Sequence, residues 1–193
     1  MNNGEIAKLL KIKELLLISL TGIVVVSCNS GGSTDGTPYT NYNYANDAIA
    51  CAQNQGSLVV GAVIKTPYSV NGTVSQGINQ SHTHIYVEAQ NDNNTIYDIS
   101  ASNVYAYGYE STNANIVPVP LTSISTGTFV EACGVVFTDN LKSPATKGLH
   151  YVHVVTTPLQ TGQANGWVKI ITSDTSITAN LESSTKYSYL YDN

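Results

Sequence analysis

Hydrophobic positions along this chain fall into three regimes. The first is a nearly continuous apolar run, Leu15 to Val26, preceded by Lys8, Lys11 and Lys13. The second, residues 29–42, is rich in Gly, Ser and Thr, has no apolar period, and reads as a flexible tether. The third occupies residues 43–193 and changes period within itself. Ala45, Ala48, Ile49 and Ala52 recur at helical spacing, with Asn46 or Asp47 placed to cap and Gly56 to terminate, which predicts one short helix. From Leu58 to Lys65 the chain is almost uniformly apolar until Pro67, as in a buried strand.

Strict alternation follows in residues 81–90. Thr83, Ile85, Val87 and Ala89 form one face, and His82, His84, Tyr86 and Glu88 the other. Asn91 to Asn94 is a turn signal, and Tyr97, Ile99 and Ala101 predict the returning strand. Tyr105, Tyr107 and Tyr109 alternate as on a short strand, and residues 113–127, with Pro118 and Pro120, read as a long loop. Further strands are predicted at residues 129–137, 148–157 and 167–172, and residues 186–191 either close the sheet or lie on it. Five to six strands, one short N-terminal helix and no βα alternation predict an all-β fold, a small OB-like β-barrel. The run Thr126-Gly127-Thr128-Phe129-Val130, with Gly134 inside the strand, resembles the fourth strand of many OB-fold barrels.

A basic start, an apolar middle and a small residue before a cut is the layout of a secretory signal, and the run is short for a membrane span. Val25-Val26-Ser27-Cys28 resembles the lipobox of bacterial lipoproteins. The resemblance implies a signal peptide over residues 1–27, lipid on Cys28, a tether over 28–42 and one domain over 43–193, held in the cell envelope. Asn29 in place of Asp after the cysteine favours the outer membrane by the same resemblance. With Cys28 lipidated, Cys51 and Cys133 remain as a pair for a disulfide in an oxidising compartment.

Charge narrows the partners. The chain beyond residue 27 has five lysines against eleven acids, and there is no arginine anywhere. Nucleic acid, usually gripped by basic patches and arginine forks, is therefore not an expected partner. The expected one is the membrane, through Cys28, together with an envelope protein or a small ligand.

All four histidines lie in two predicted strands, as His82-Thr83-His84 and His150-Tyr151-Val152-His153. Residues two apart share a face, whereas His150 and His153 share one only across a bulge. Imidazole is a common transition-metal ligand, so the four together are the candidate metal or ligand site, for zinc or copper if for a metal. The alternative is a solvated strand face with one hydrogen-bonded core histidine. Glu88 and Asp98 are the nearby acids, while Asp139, Asp174 and Asp192 have turn or tail contexts.

The same stretch is similar to a family of small secreted bacterial domains of unknown function. That family carries a His-Gln-Arg-Phe strand, then Gly-Val-Ile-His-Trp-Thr-His-His-Asp-Pro, then Gly-Trp-Leu. Here the order is kept in His82-Thr83-His84-Ile85, Gly148-Leu149-His150-Tyr151-Val152-His153 and Gly166-Trp167-Val168, with His84, Val154 and Val155 in place of the family's Arg, second His and Asp. The resemblance implies a compact OB-like domain and brings no activity with it.

Tyr105, Tyr107 and Tyr109, the row Tyr187, Tyr189 and Tyr191, and Trp167 are the aromatic candidates for binding sugars or peptides. Tyrosine's strand preference equally fits cross-strand packing. No nucleophile elbow or phosphate loop occurs. These features point to a lipid-anchored, non-enzymatic binding module, with a metal-binding protein or metal-dependent enzyme as the alternative.

Overall fold

A computed structural model describes Tyr39 and residues 41–191. The apolar leader, Cys28, most of the tether and Asp192 lie outside the described residues. The predicted tether does not stay clear of the domain. Tyr42 is buried, and the Tyr39 ring meets Phe129 edge-on at 6.2 Å.

Five strands close a barrel: β1 (Ser57–Val63), β5 (His82–Ala89), β6 (Thr95–Ser102), β8 (Lys147–His150) and β7 (Phe129–Phe137), with β7 returning to β1. β6 and β8 run parallel and the other neighbours antiparallel, which is OB-like connectivity. Short accessory pieces complete the sheets. β2 (Tyr68–Val70) extends the β1 side of β5, β3 (Val74–Ser75) pairs with β4 (Ile78–Asn79), and β10 (Ser176–Ile177) pairs with β9 (Trp167–Ser173).

Alternation explains the closure. The inward residues of β5 (Thr83, Ile85, Val87, Ala89) are fully buried, and Ile85, Val87 and Ala89 meet Val59, Ile99, Val130, Leu149 and Val168 in one core. Each fully buried aliphatic side chain of this kind contributes about 1.5–3 kcal/mol. At the β5–β6 turn, Asn93 and Asn94 take left-handed backbone at φ 51° and 57°, which asparagine tolerates well. Asn91 accepts from Val60 N–H and donates to the Leu58 carbonyl, satisfying the stretch of β1 beyond its pairing with β5.

The helix α1 (Ala45–Gln53) lies where the sequence places it, but its cap differs. Asn43 Oδ1 accepts from Ala45 N–H, whereas Asp47 sits inside the first turn. The helix ends at Gln53 with Gln55 at φ 62°, so Gly56 is not its terminator. A Cβ on Gly56 would meet both sulfurs of the Cys51–Cys133 disulfide, whose Cα atoms are 5.6 Å apart.

Two predicted strands change, and residues 186–191, expected either to close the sheet or to lie on it, lie on it. Tyr105 lies in a 3₁₀ turn (Asn103–Tyr105) and Gly108 turns the backbone at φ 76°, so the first tyrosine row is not a strand. The second row runs through another 3₁₀ turn (Ser188–Leu190) on the surface of the barrel. The strand predicted over residues 148–157 stops at His150, because Tyr151 adopts φ 53° and leaves the sheet.

Candidate functional site

The departure at Tyr151 creates the main feature of the site. Along one edge of β7, His150 pairs with Val135, and Trp167 already pairs with Cys133. Residues 151–166 are therefore an excursion whose two ends return on either side of Gly134. A Cβ on Gly134 would overlap the His150 carbonyl, and one on Gly166 would overlap the carbonyls of Cys133 and Tyr151. Both glycines thus permit the pinch. Gly166 N–H closes the loop by donating to the His153 carbonyl at 2.8 Å.

His153 sits inside this loop, 7% exposed, its ring stacked on Tyr105 at 3.7 Å and 5°. Its Nδ1 is 3.0 Å from the Val154 carbonyl. A carbonyl only accepts, so Nδ1 carries the hydrogen and Nε2 keeps a lone pair. Burial pushes this imidazole down to about 4, so it is neutral at pH 7. With Tyr151, Tyr105 and Tyr191 it lines a shallow cleft of about 20 Å³, rimmed by Thr156, Thr157, Gln163 and Ser188. Such a cleft encloses about one water.

His84 has a different setting. Its Nδ1 lies 2.9 and 3.0 Å from the two oxygens of Asp98 on β6, and Tyr68 stacks on its ring at 5.3 Å. A carboxylate accepts, so Nδ1 donates and Nε2 is the ring atom without a partner among the described residues. Beside it, Tyr86 is buried on the outer face, its hydroxyl 3.4 Å from that of Tyr68. Burial and the Tyr68 hydroxyl push the Tyr86 phenol up. Lys65 lies over both rings, at 5.2 and 5.1 Å.

His82 and His150 lie between these two settings. Ser100, small and paired with His84, follows Ile99, and His150 follows Leu149, the β8 partner of Ile99. Burial and then the neighbouring His84 lower His82, and burial lowers His150. The His150 ring is 4.5 Å from Tyr151 and 5.1 Å from Phe137. A surface of rings and imidazoles therefore runs from β5 across β6 and β8 to the loop. It is not one convergent site: among the described residues no three His, Cys, Asp or Glu side chains gather as a metal-binding group.

The tyrosine rows divide by burial. Tyr105 and Tyr109 are buried, Tyr107 is 60% exposed, and Tyr187 is buried while Tyr189 and Tyr191 are open. The buried members pack the two segments together, with Tyr109 edge-on to Tyr187 at 6.0 Å and Tyr105 stacked on Tyr191 at 5.6 Å. Trp167 packs against the disulfide, and its Nε1–H donates to Glu131 at 2.7 Å. Glu131 is fully buried on β7, raised by burial and by Asp47, and also meets Tyr42 and Lys169. Lys169 in turn lies 4.5 Å over the Trp167 ring. Trp167 is thus committed beneath α1.

Of the nominated acids, Asp98 is the His84 partner, and Glu88, Asp139 and Asp174 are exposed. Sequence reasoning missed Tyr68, which stacks on His84 from the short strand β2, and Lys65 and Tyr151, which supply charge and a ring face from just beyond the ends of β1 and β8. It also missed Glu182, a fully buried carboxyl that burial raises well above its ordinary value and whose oxygens have no hydrogen-bond partner among the described residues. Compared with family models, with curated proteins and with solved structures, the chain matches none.

Proposed function

We propose that this protein is a lipid-anchored, non-enzymatic binding module of the bacterial cell envelope. Cys28 carries the lipid, and the barrel offers its ring-and-imidazole surface to another envelope component or a small ligand. One observation carries the reading. One imidazole nitrogen on each of His84 and His153 has no partner among the described residues, beside rings of which Tyr68, Tyr151 and Tyr191 are partly exposed, on a closed barrel. Preformed ring faces with a few fixed polar atoms suit recognition, because little ordering entropy is spent on binding. An acyl chain alone gives marginal attachment, so stable anchoring needs the several chains that lipoprotein processing supplies.

Two measurements test the proposal. Cells given an alkyne-bearing palmitate analogue should label the wild-type protein and fail to label Cys28→Ala; a labelled Cys28→Ala overturns the anchor. A photocrosslinker replacing Tyr151 should yield envelope adducts that one replacing the exposed Thr175 does not. Equal yields at both positions overturn the choice of face.

A further inference from the structure

The cleft in the 151–166 loop has a composition that selects its ligand. Four of its nine lining residues are rings (Tyr105, Tyr151, His153, Tyr191), and the polar remainder, Thr156 and Gln163 among them, is uncharged. Among the described residues no lysine or acid lines it, and the whole chain carries a net charge of −5. Among those residues an anionic ligand would find no countercharge, and a cationic one no carboxylate. The flat ring faces offer apolar area with polar tips, the arrangement that suits the C–H face of a sugar. The His153 imidazole adds a direction. Its Nδ1–H is spent on the Val154 carbonyl at 3.0 Å, so the ring has only an acceptor, Nε2, to give a ligand. A hydroxyl meets that requirement. A peptide strand would draw on a sheet edge, and here β8 is already paired on both sides, by β6 and β7.

We infer that this cleft binds a single ring of an uncharged glycan, laid against Tyr151 and Tyr191, with a sugar hydroxyl donated to His153 Nε2. The small enclosed volume, about 20 Å³, makes this a stacking surface for one residue of a chain, not a pocket that swallows it. The inference rests on the proposed binding role and names its ligand class.

The test is titration of the full chain with its disulfide intact, followed by amide-resolved NMR. The probes are neutral oligosaccharides (cellotetraose, maltotetraose and the tetramer of N-acetylglucosamine), an anionic hyaluronan hexasaccharide, and a neutral tetrapeptide. At least one neutral glycan should shift residues 151–157 and 188–191. Tyr191→Ala, at a site 40% exposed, should weaken that binding tenfold or more. Tyr189→Ala, exposed but outside the cleft, should leave it unchanged. Thr156→Val serves as a second cleft variant and should weaken binding severalfold. The inference is overturned if no neutral glycan binds, if the hexasaccharide or the tetrapeptide binds as well, or if Tyr191→Ala and Thr156→Val bind like wild type. Glycan failure with crosslinking at position 151 retained would remove the ligand class alone. Loss of both would remove the binding role as well.

Discussion

Two regions of the barrel surface hold buried ionisable groups, and they are finished to different degrees. Beneath α1, the ionisable groups meet partners. Glu131 takes Trp167 Nε1–H and the Tyr42 hydroxyl, and Lys169 lies 3.6 Å from Glu131 and 3.8 Å from Asp47. The Cys51–Cys133 disulfide clamps the same place. On the imidazole side, each fixed histidine satisfies one nitrogen and leaves the other without a partner among the described residues. Both regions are rich in rings and charge-bearing residues, so composition does not separate them. Satisfaction does: a closed network specifies structure, whereas oriented polar atoms left over are available to a ligand.

The largest way to break the comparison is at the clamp. The disulfide spans 82 residues of sequence, and closing a loop of that size is worth on the order of 4 kcal/mol. Replacing both Cys51 and Cys133 by Ala should therefore lower the urea midpoint sharply. Crosslinking from position 151, measured well below the new midpoint, should survive if the two regions are independent.

Next comes acid. The His153 imidazole is held at about 4 in the fold, against an ordinary value of 6.5. Below 6.5 the unfolded chain takes up a proton that the folded one does not. Stability is thus complete above pH 6.5, falls as pH drops toward 4, and levels off below that. The gap corresponds to about 3 kcal/mol. Urea midpoints from pH 7 to 4 should show this slope, and His153→Phe, which keeps a ring to stack on Tyr105, should flatten it. An unchanged slope in that variant would mean that the imidazole is not held neutral by its surroundings.

The smallest effect sharpens the helix side. Trp167→Phe retains an aromatic ring beside the disulfide but removes the N–H that reaches Glu131 Oε1. A buried acceptor left without its donor costs about 1–3 kcal/mol. Chemical denaturation should show that loss with glycan and crosslinking behaviour unaltered.

Much of the barrel was legible in period and punctuation. The alternation in residues 81–90 and 95–101 gave the β5–β6 hairpin, with Asn93 and Asn94 supplying the turn. Phe129 to Phe137 was read with both ends correct, Gly134 included. The site was less legible. His82 and His84 were rightly placed on the outer face, and Asp98 was named, but its hold on His84 is a diagonal contact between strands. The first tyrosine row resembles a strand because a ring at every second position matches a strand's period, which would put all three rings on one face. Instead Tyr105 and Tyr109 are buried with Tyr107 exposed, because the backbone there is a turn.

By itself the sequence determined where chain segments alternate, that the chain has no arginine, and that four imidazoles fall in two short stretches. Those are local properties, fixed by side-chain chemistry and a period of two. Only the tertiary structure decided that Tyr151 leaves the sheet, that Gly134 and Gly166 let a loop pinch off between the Cys133 and Val135 positions of β7, and that Trp167 belongs under the helix. Each of these depends on which backbone passes within a few ångströms of which, a distance set by closure of the barrel and carried by no single stretch of the chain.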